Sequence, residues 1–156
     1  MSVDHSRGVP ATAAIKGHPI HPMLIPYPIA FLSAVVLTDL VYWLRLESFW
    51  ARFSWWLLLG GLIGGVVAAL AGLVDFVTIE RAREHKIGWI HLVGMALVLI
   101  LALFNLVIRD PASGSGVLPL GIVISAITAI VLAISGWFGG ELSYRHSIGV
   151  TGHDGD

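Results

Sequence analysis

Four long runs of apolar residues, parted by short polar breaks, dominate the chain. Each is near the roughly 20 residues that a helix needs to cross a hydrocarbon core. The pattern predicts helices over 26–44, 53–79, 87–108 and 117–141. The breaks between them are short: Arg45 to Arg52, Glu80 to Lys86, and the turn-forming run Asp110 to Gly116. Sequential helices are therefore expected to pack as antiparallel neighbours. Residues 1–17 and 147–156 read as polar tails around one membrane domain over 18–146. The expected fold class is all-α, an integral membrane bundle of four transmembrane helices.

Two further patterns support these boundaries. Pro19, Pro22, Pro26 and Pro28 crowd the start of the first run, where proline is tolerated before a helix or in its first turn. Aromatic residues gather in two belts, with Tyr42, Trp43, Trp50, Trp55 and Trp56 at one interface and Tyr27, Phe76, Trp89, Trp137 and Tyr144 at the other.

Composition narrows the class. The chain is 56% hydrophobic and 12% charged, with a mean hydropathy of +0.86, far from a soluble domain. The absence of cysteine excludes disulfides, thiolate metal sites and iron–sulfur clusters held by this chain alone. Net charge is −1 and no basic block could track a phosphate backbone, so nucleic acid is not an expected partner. The lipid bilayer is.

The residues before Gly17 lack an apolar core for a cleavable signal peptide, so the first helix is expected to double as the targeting signal. An even helix count puts both tails on one side. Arg7, Lys16, Arg81, Arg83, Lys86 and Arg145 lie on that side, against Arg45, Arg52 and Arg109 opposite. The positive-inside rule then predicts a bacterial inner-membrane protein with both termini cytoplasmic.

Small residues suggest how the bundle closes. Gly60, Gly64, Ala68 and Gly72 recur every fourth residue on helix two, with Gly61, Gly65 and Ala69 on the adjacent row. Helix four carries Gly121, Ser125, Ala129 and Ala133. Such rows let backbones approach closely in lipid, so they are assigned to helix packing, with a homodimer as the lesser alternative. On this basis Gly64→Leu should disrupt the bundle and Leu58→Ala should be mild.

Candidate chemistry lies with the polar residues in and beside the apolar runs, where an ionisable group costs at least about 2.5 kcal/mol at a helix centre. Asp39, Asp75 and Asn105 sit near helix ends and are read as structural polar groups that snorkel or bond a neighbouring helix. All seven histidines fall on the side of the termini. His91 lies near the start of helix three beside Trp89 and is a candidate ligand, since histidine is the commonest metal ligand and bundle interiors are where such sites are built. The segment Gly17 to Pro22 places His18 and His21 each before a proline, which disfavours the α region. In polyproline geometry the two would point the same way, over the mouth of the bundle near His91. Glu80 and Glu84 read as an exposed face with Arg81, Arg83 and Lys86.

These residues carry a family resemblance. The strings GHPIHPMLIPYPIAF and AGLVDF, the Trp-Ile-His of helix three and the closing SGWFGGELSYRHSIGV resemble an uncharacterised bacterial family of four-helix inner-membrane proteins, a domain of unknown function. Related domains occur fused to Rieske domains, so the resemblance implies the fold and, further off, an association with electron transfer. It singles out His18, His21, Asp39, Asp75, His91, Gly136, Gly139, Gly140, Glu141, Tyr144, Arg145 and His146. It carries no established activity.

Three function classes follow. The first is a haem b electron-transfer module with cofactor-binding His18, His21 and His91, exchanging electrons with a quinone or a redox partner protein. The second is a non-redox scaffold or assembly partner whose rim of His18, His21, His91, Glu141 and His146 holds zinc or docks a protein, or carries no cofactor. The third is a small proton-coupled transporter. No hydrolase or transferase motif is visible, and catalytic residues are not assigned.

Overall fold

The computed structural model describes residues 8–150. His5, Arg7 and His153, and with them parts of both expected tails, lie outside the described residues. The described chain starts with a small hairpin, β1 (Ala14–Ile15) and β2 (His18–Pro19), paired Ala14 to Pro19 and Ile15 to His18. Lys16 and Gly17 turn it with φ of 50° and 82°, the positive pair that a two-residue hairpin turn requires.

Helices follow: α1 (Ile20–Leu24), α2 (Pro26–Arg45), α3 (Ser48–Thr78), α4 (Glu80–Glu84), α5 (Lys86–Val107) and α6 (Ile122–Tyr144), with a wide turn over Val117–Gly121 leading into α6. Four spans are long and apolar enough to cross a membrane: Ile20–Arg45, Ser48–Thr78, Lys86–Val107 and Val117–Tyr144. The fold is an all-α membrane bundle.

Helix ends depart from the hydropathy pattern where polar residues continue a helix past the lipid. The second long helix begins at Ser48 rather than Phe53, and the fourth runs on to Tyr144. His21 departs too: it lies within α1 despite the proline after it. Pro22 falls in the first turn, where its missing N–H bonds nothing, so the helix forms and His21 does not follow the polyproline path of His18.

Which faces are buried follows a spacing of alternating three and four residues. On α2 it runs Pro28, Leu32, Val35, Asp39, and on α3 Ala51, Ser54, Leu58, Gly61, Gly65, Ala68. On α5 it includes Gly88, Val98, Ala102, Asn105, and on α6 Ser125, Thr128, Leu132, Ser135, with Gly121 just ahead of that helix. That is the heptad seam of a left-handed bundle. Leu32, Val35, Leu58, Val98, Ala102 and Leu132 form the apolar middle of the core. Leu58 is thus central, and the expectation of a mild Leu58→Ala is corrected. The outward-facing Tyr27, Trp43, Trp56, Trp89, Trp137 and Tyr144 are exposed, as interfacial rings should be.

The small-residue groove of α3 receives α1 and α2. A Cβ on Gly61 would lie 2.7 Å from Leu32, and one on Gly60 3.1 Å from Phe31. Gly64 meets Pro28 at 3.5 Å, ordinary contact for one carbon and too little room for a leucine.

Candidate functional site

Polar side chains occupy the seam at both ends of the apolar core. At the end holding the α2–α3 and α5–α6 connections, Arg109 follows the last turn of α5 and turns inward, where a cation also suits the helix C-terminus. Its Nη1 and Nη2 donate to Asp39 Oδ1 and Oδ2, both at 2.7 Å. Nη1 also donates to Ser54 Oγ at 2.5 Å, Nη2 to Ser125 Oγ at 2.9 Å and Nε to Asn105 Oδ1 at 2.9 Å. All five guanidinium donors are therefore used. Asp39 also accepts from Ser54 Oγ at 2.5 Å and Ser125 Oγ at 2.7 Å, which fills its carboxylate.

This cluster joins α2, α3, α5 and α6. Asp39 is 0% exposed and Arg109 5% exposed, so Asp39 does not snorkel; Asn105 donates to Ser125 Oγ at 2.9 Å as interhelical glue. Gly121 leaves the space that the guanidinium fills, since a Cβ there would lie 3.1 Å from Nε and Nη2. With every group satisfied the cluster has no open valence for a ligand and acts as a lock.

The other end differs. His21 on α1 and His91 on α5 face each other with ring centres 6.3 Å apart and planes at 84°. His21 Nδ1 bonds the carbonyl of Ala68 on α3 at 2.8 Å, and His91 Nδ1 bonds that of Ser135 on α6 at 2.8 Å. A carbonyl oxygen only accepts, so each Nδ1 carries the proton and each Nε2 keeps its lone pair when the ring is neutral. Neither Nε2 has a hydrogen-bond partner among the described residues, and no side-chain polar atom there is sealed off without one. Both Nε2 atoms therefore open onto accessible space.

Two glycines seat these rings. A Cβ on Gly72 would lie 2.8 Å from His21 Nδ1, and one on Gly139 2.7 Å from His91 Cε1. Gly136, one turn earlier, has nothing within 4 Å. The α3 row that includes Ala68 and Gly72 thus serves the His21 ring as well as packing.

The other rim residues stay apart from this pair. His18 is exposed on β2. Glu141 accepts from Arg145 Nη1 at 2.8 Å, and His146 stacks near His85 with ring centres 4.2 Å apart. Among the described residues no three His, Cys, Asp or Glu side chains form a group that could hold a metal ion. Asp75 bonds the N-terminal segment, accepting from Ala13 N at 2.7 Å and Thr12 Oγ1 at 3.0 Å. Glu80 and Glu84 lie exposed on α4.

Sequence reasoning passed over Arg109, Ser54 and Ser135. Arg109 carried a signal: it stands four residues after Asn105, at the end of its helix, on the same side of the bilayer as Asp39.

Comparison with known proteins now adds one finding. A family described as a predicted membrane protein, DUF2231, matches residues 17–152. The chain belongs to this family. No curated protein and no solved structure matches it. The matched range includes both polar clusters, from His21 at one extreme to Ser135 and Gly139 near the other.

Proposed function

We propose that this DUF2231 chain is a haem b-binding electron-transfer module in which His21 and His91 would hold the haem. One observation carries the reading: two imidazoles from different helices, 6.3 Å apart, each with Nδ1 tied to a backbone carbonyl and Nε2 left over. A metal–nitrogen bond is about 2 Å, and each nitrogen stands about 1 Å from its ring centre. Two rings bound through nitrogen to one metal then have centres roughly 5–6 Å apart. The 6.3 Å spacing would bring both imidazoles within reach of one metal. The donor set agrees, because zinc needs four ligands whereas haem brings its own equatorial nitrogens and asks the protein for two.

Bound haem would supply a one-electron couple. The chain's part is to hold the iron axis and tune it. The Nδ1–H bonds to Ala68 and Ser135 orient each ring and raise its basicity, which favours the oxidised state of the metal. Gly72 and Gly139 let the rings approach α3 and α6 closely. An apolar groove between α5 and α6 is lined by Trp89, Ile90, Val93, Gly94, Val131, Ile134 and Ser135, whose carbonyl accepts from His91. It supports a quinone as the membrane-side electron carrier, with a redox protein as the partner outside the bilayer. The site sits at the end that holds the β1–β2 hairpin and the C-terminal end of α6, which the lysine and arginine bias assigns to the cytoplasmic side of a bacterial inner membrane.

The test is an absorption spectrum of the detergent-purified protein after haem reconstitution, oxidised and then reduced with dithionite. A Soret band with sharp α and β bands is expected, lost in His91→Ala and lost or high-spin in His21→Ala, with His18→Ala unchanged. A wild type that takes up no haem, or one that loads zinc to stoichiometry instead, would overturn the proposal. For orientation, a phosphatase fused after Asp156 should be inactive and one fused after Arg109 active. The reverse pattern would invert the topology.

A further inference from the structure

The sequence reading left Asp75 as a polar group near a helix end, and its bonds give it a more specific part. Its Oδ1 accepts from the backbone N–H of Ala13 at 2.7 Å and from Thr12 Oγ1 at 3.0 Å. Ala13 in turn accepts at its carbonyl from Ile20 N at 2.9 Å, across the base of the β1–β2 hairpin. Ile20 is the residue before His21 and the first of α1. Two consecutive hydrogen bonds therefore connect the Asp75 carboxylate to the start of the short helix that carries the ligand.

The rest of the contact set lies on the same stripe of α3. Ala68 supplies the carbonyl for His21 Nδ1, Gly72 leaves room for the ring, and Asp75 follows at the next turn. Steps of four and three residues keep these on one face. α1 continues through the α-region residue Ile25 into α2, with Ile25 N donating to His21 O and Ile29 N to Ile25 O, so its free end is the Ile20 side. At that free end the chain is tied to α3 by the Asp75 bonds to Thr12 and Ala13, beside a hydroxyl contact between Thr12 and Thr78. One oxygen of Asp75 accepts from the hydroxyl and the backbone amide together.

We propose that Asp75 is a positioning residue for the His21 ligand: it pins the Thr12–Ala13 segment to α3 and through Ala13 and Ile20 sets the height and angle of the His21 imidazole. The proposal rests on the haem reading for its consequence, which is how firmly His21 would hold that group. Loss of the Asp75 bonds would free the start of α1 from α3 and loosen the hold of His21, while leaving His91 in place.

The test compares Asp75→Leu with Asp75→Asn, whose amide oxygen still accepts both bonds, and with Ala13→Pro, which removes the donor from the peripheral segment without touching the bundle. Haem-loaded Asp75→Leu and Ala13→Pro should turn partly or wholly high-spin and shift in reduction potential, while Asp75→Asn stays low-spin. Carbethoxylation of the imidazoles in haem-free protein, read by mass spectrometry, gives a second measure. His21 should label several-fold faster in Asp75→Leu and His91 at its former rate. Asp75→Leu and Ala13→Pro proteins with the wild-type spin state, and wild-type His21 labelling, would overturn the positioning role. A wild type that binds no haem would overturn the haem reading alone, and His21 labelling would still decide what Asp75 does.

Discussion

Removing Asp39 should be among the most damaging single changes outside the apolar core. In Asp39→Leu the Arg109 guanidinium stays 5% exposed at the seam, yet two of its five bonds vanish, and Ser54 and Ser125 lose the acceptor they share with it. Hydrogen bonds to charged groups are worth about 1.5–3 kcal/mol each, and breaking a buried pair from one side costs about 3–5 kcal/mol. The two routes agree. On the scale of about 2–4 °C per kcal/mol for chains of this size, the loss amounts to roughly 10 °C in thermal unfolding in detergent. Arg109→Leu should cost a similar amount, since it strands the carboxylate. The double variant Asp39→Leu/Arg109→Leu removes both charges and should recover much of the loss, with a coupling of about 2 kcal/mol or more in the cycle. Two single variants whose effects add within about 0.5 kcal/mol would refute the claim that these groups stabilise each other.

Gly139→Ala should displace the His91 ring and weaken haem uptake in a reconstitution titration, because its Cβ would lie 2.7 Å from Cε1, whereas Gly136→Ala meets nothing and should titrate like the wild type. Leu58→Ala should destabilise by about 2–5 kcal/mol in an unfolding assay, and Leu37→Ala on the lipid-facing side of α2 by far less, as Leu58 is 1% exposed and Leu37 65%. In the Asp110 loop, the Ser113 hydroxyl at 2.6 Å, and then the Ala112 amide at 2.9 Å, hold the Asp110 carboxyl below its ordinary pKa. The turn is thus stabilised above the ordinary aspartate pKa and loses that support as pH falls through the lowered value. Ser113→Ala should raise the Asp110 pKa in an NMR titration.

Much of the fold was legible because hydropathy and length alone decide that a helix spans a membrane. Which face of each helix turns inward was less legible. Helices that are apolar all round give no amphipathic signal, so the every-fourth-residue row of Gly60, Gly64, Ala68 and Gly72 stood out, while the true seam through Ala51, Ser54, Leu58, Gly61 and Gly65 alternates threes and fours. Polar residues would have shown it: His91 and Asn105 on α5, with Arg109 just past its end, keep to one heptad seam, and so do Ser125, Thr128 and Ser135 on α6. His21 and His91 were legible as candidates through residue type and side of the membrane. The separation of His18 from them was not, because it depends on α1, which extends α2 toward the N-terminus against the local preference of a pre-proline residue. The pairing of Asp39 with Arg109 needed knowledge of which helix ends meet.

The central claim, one metal held between His21 and His91, is tested most directly by low-temperature electron paramagnetic resonance of the oxidised, haem-loaded protein. Imidazole planes at 84° predict a low-spin ferric signal of the strongly anisotropic kind, with one dominant low-field feature. A high-spin axial signal, or no haem signal from protein that is folded and saturated with the ligand, would contradict it.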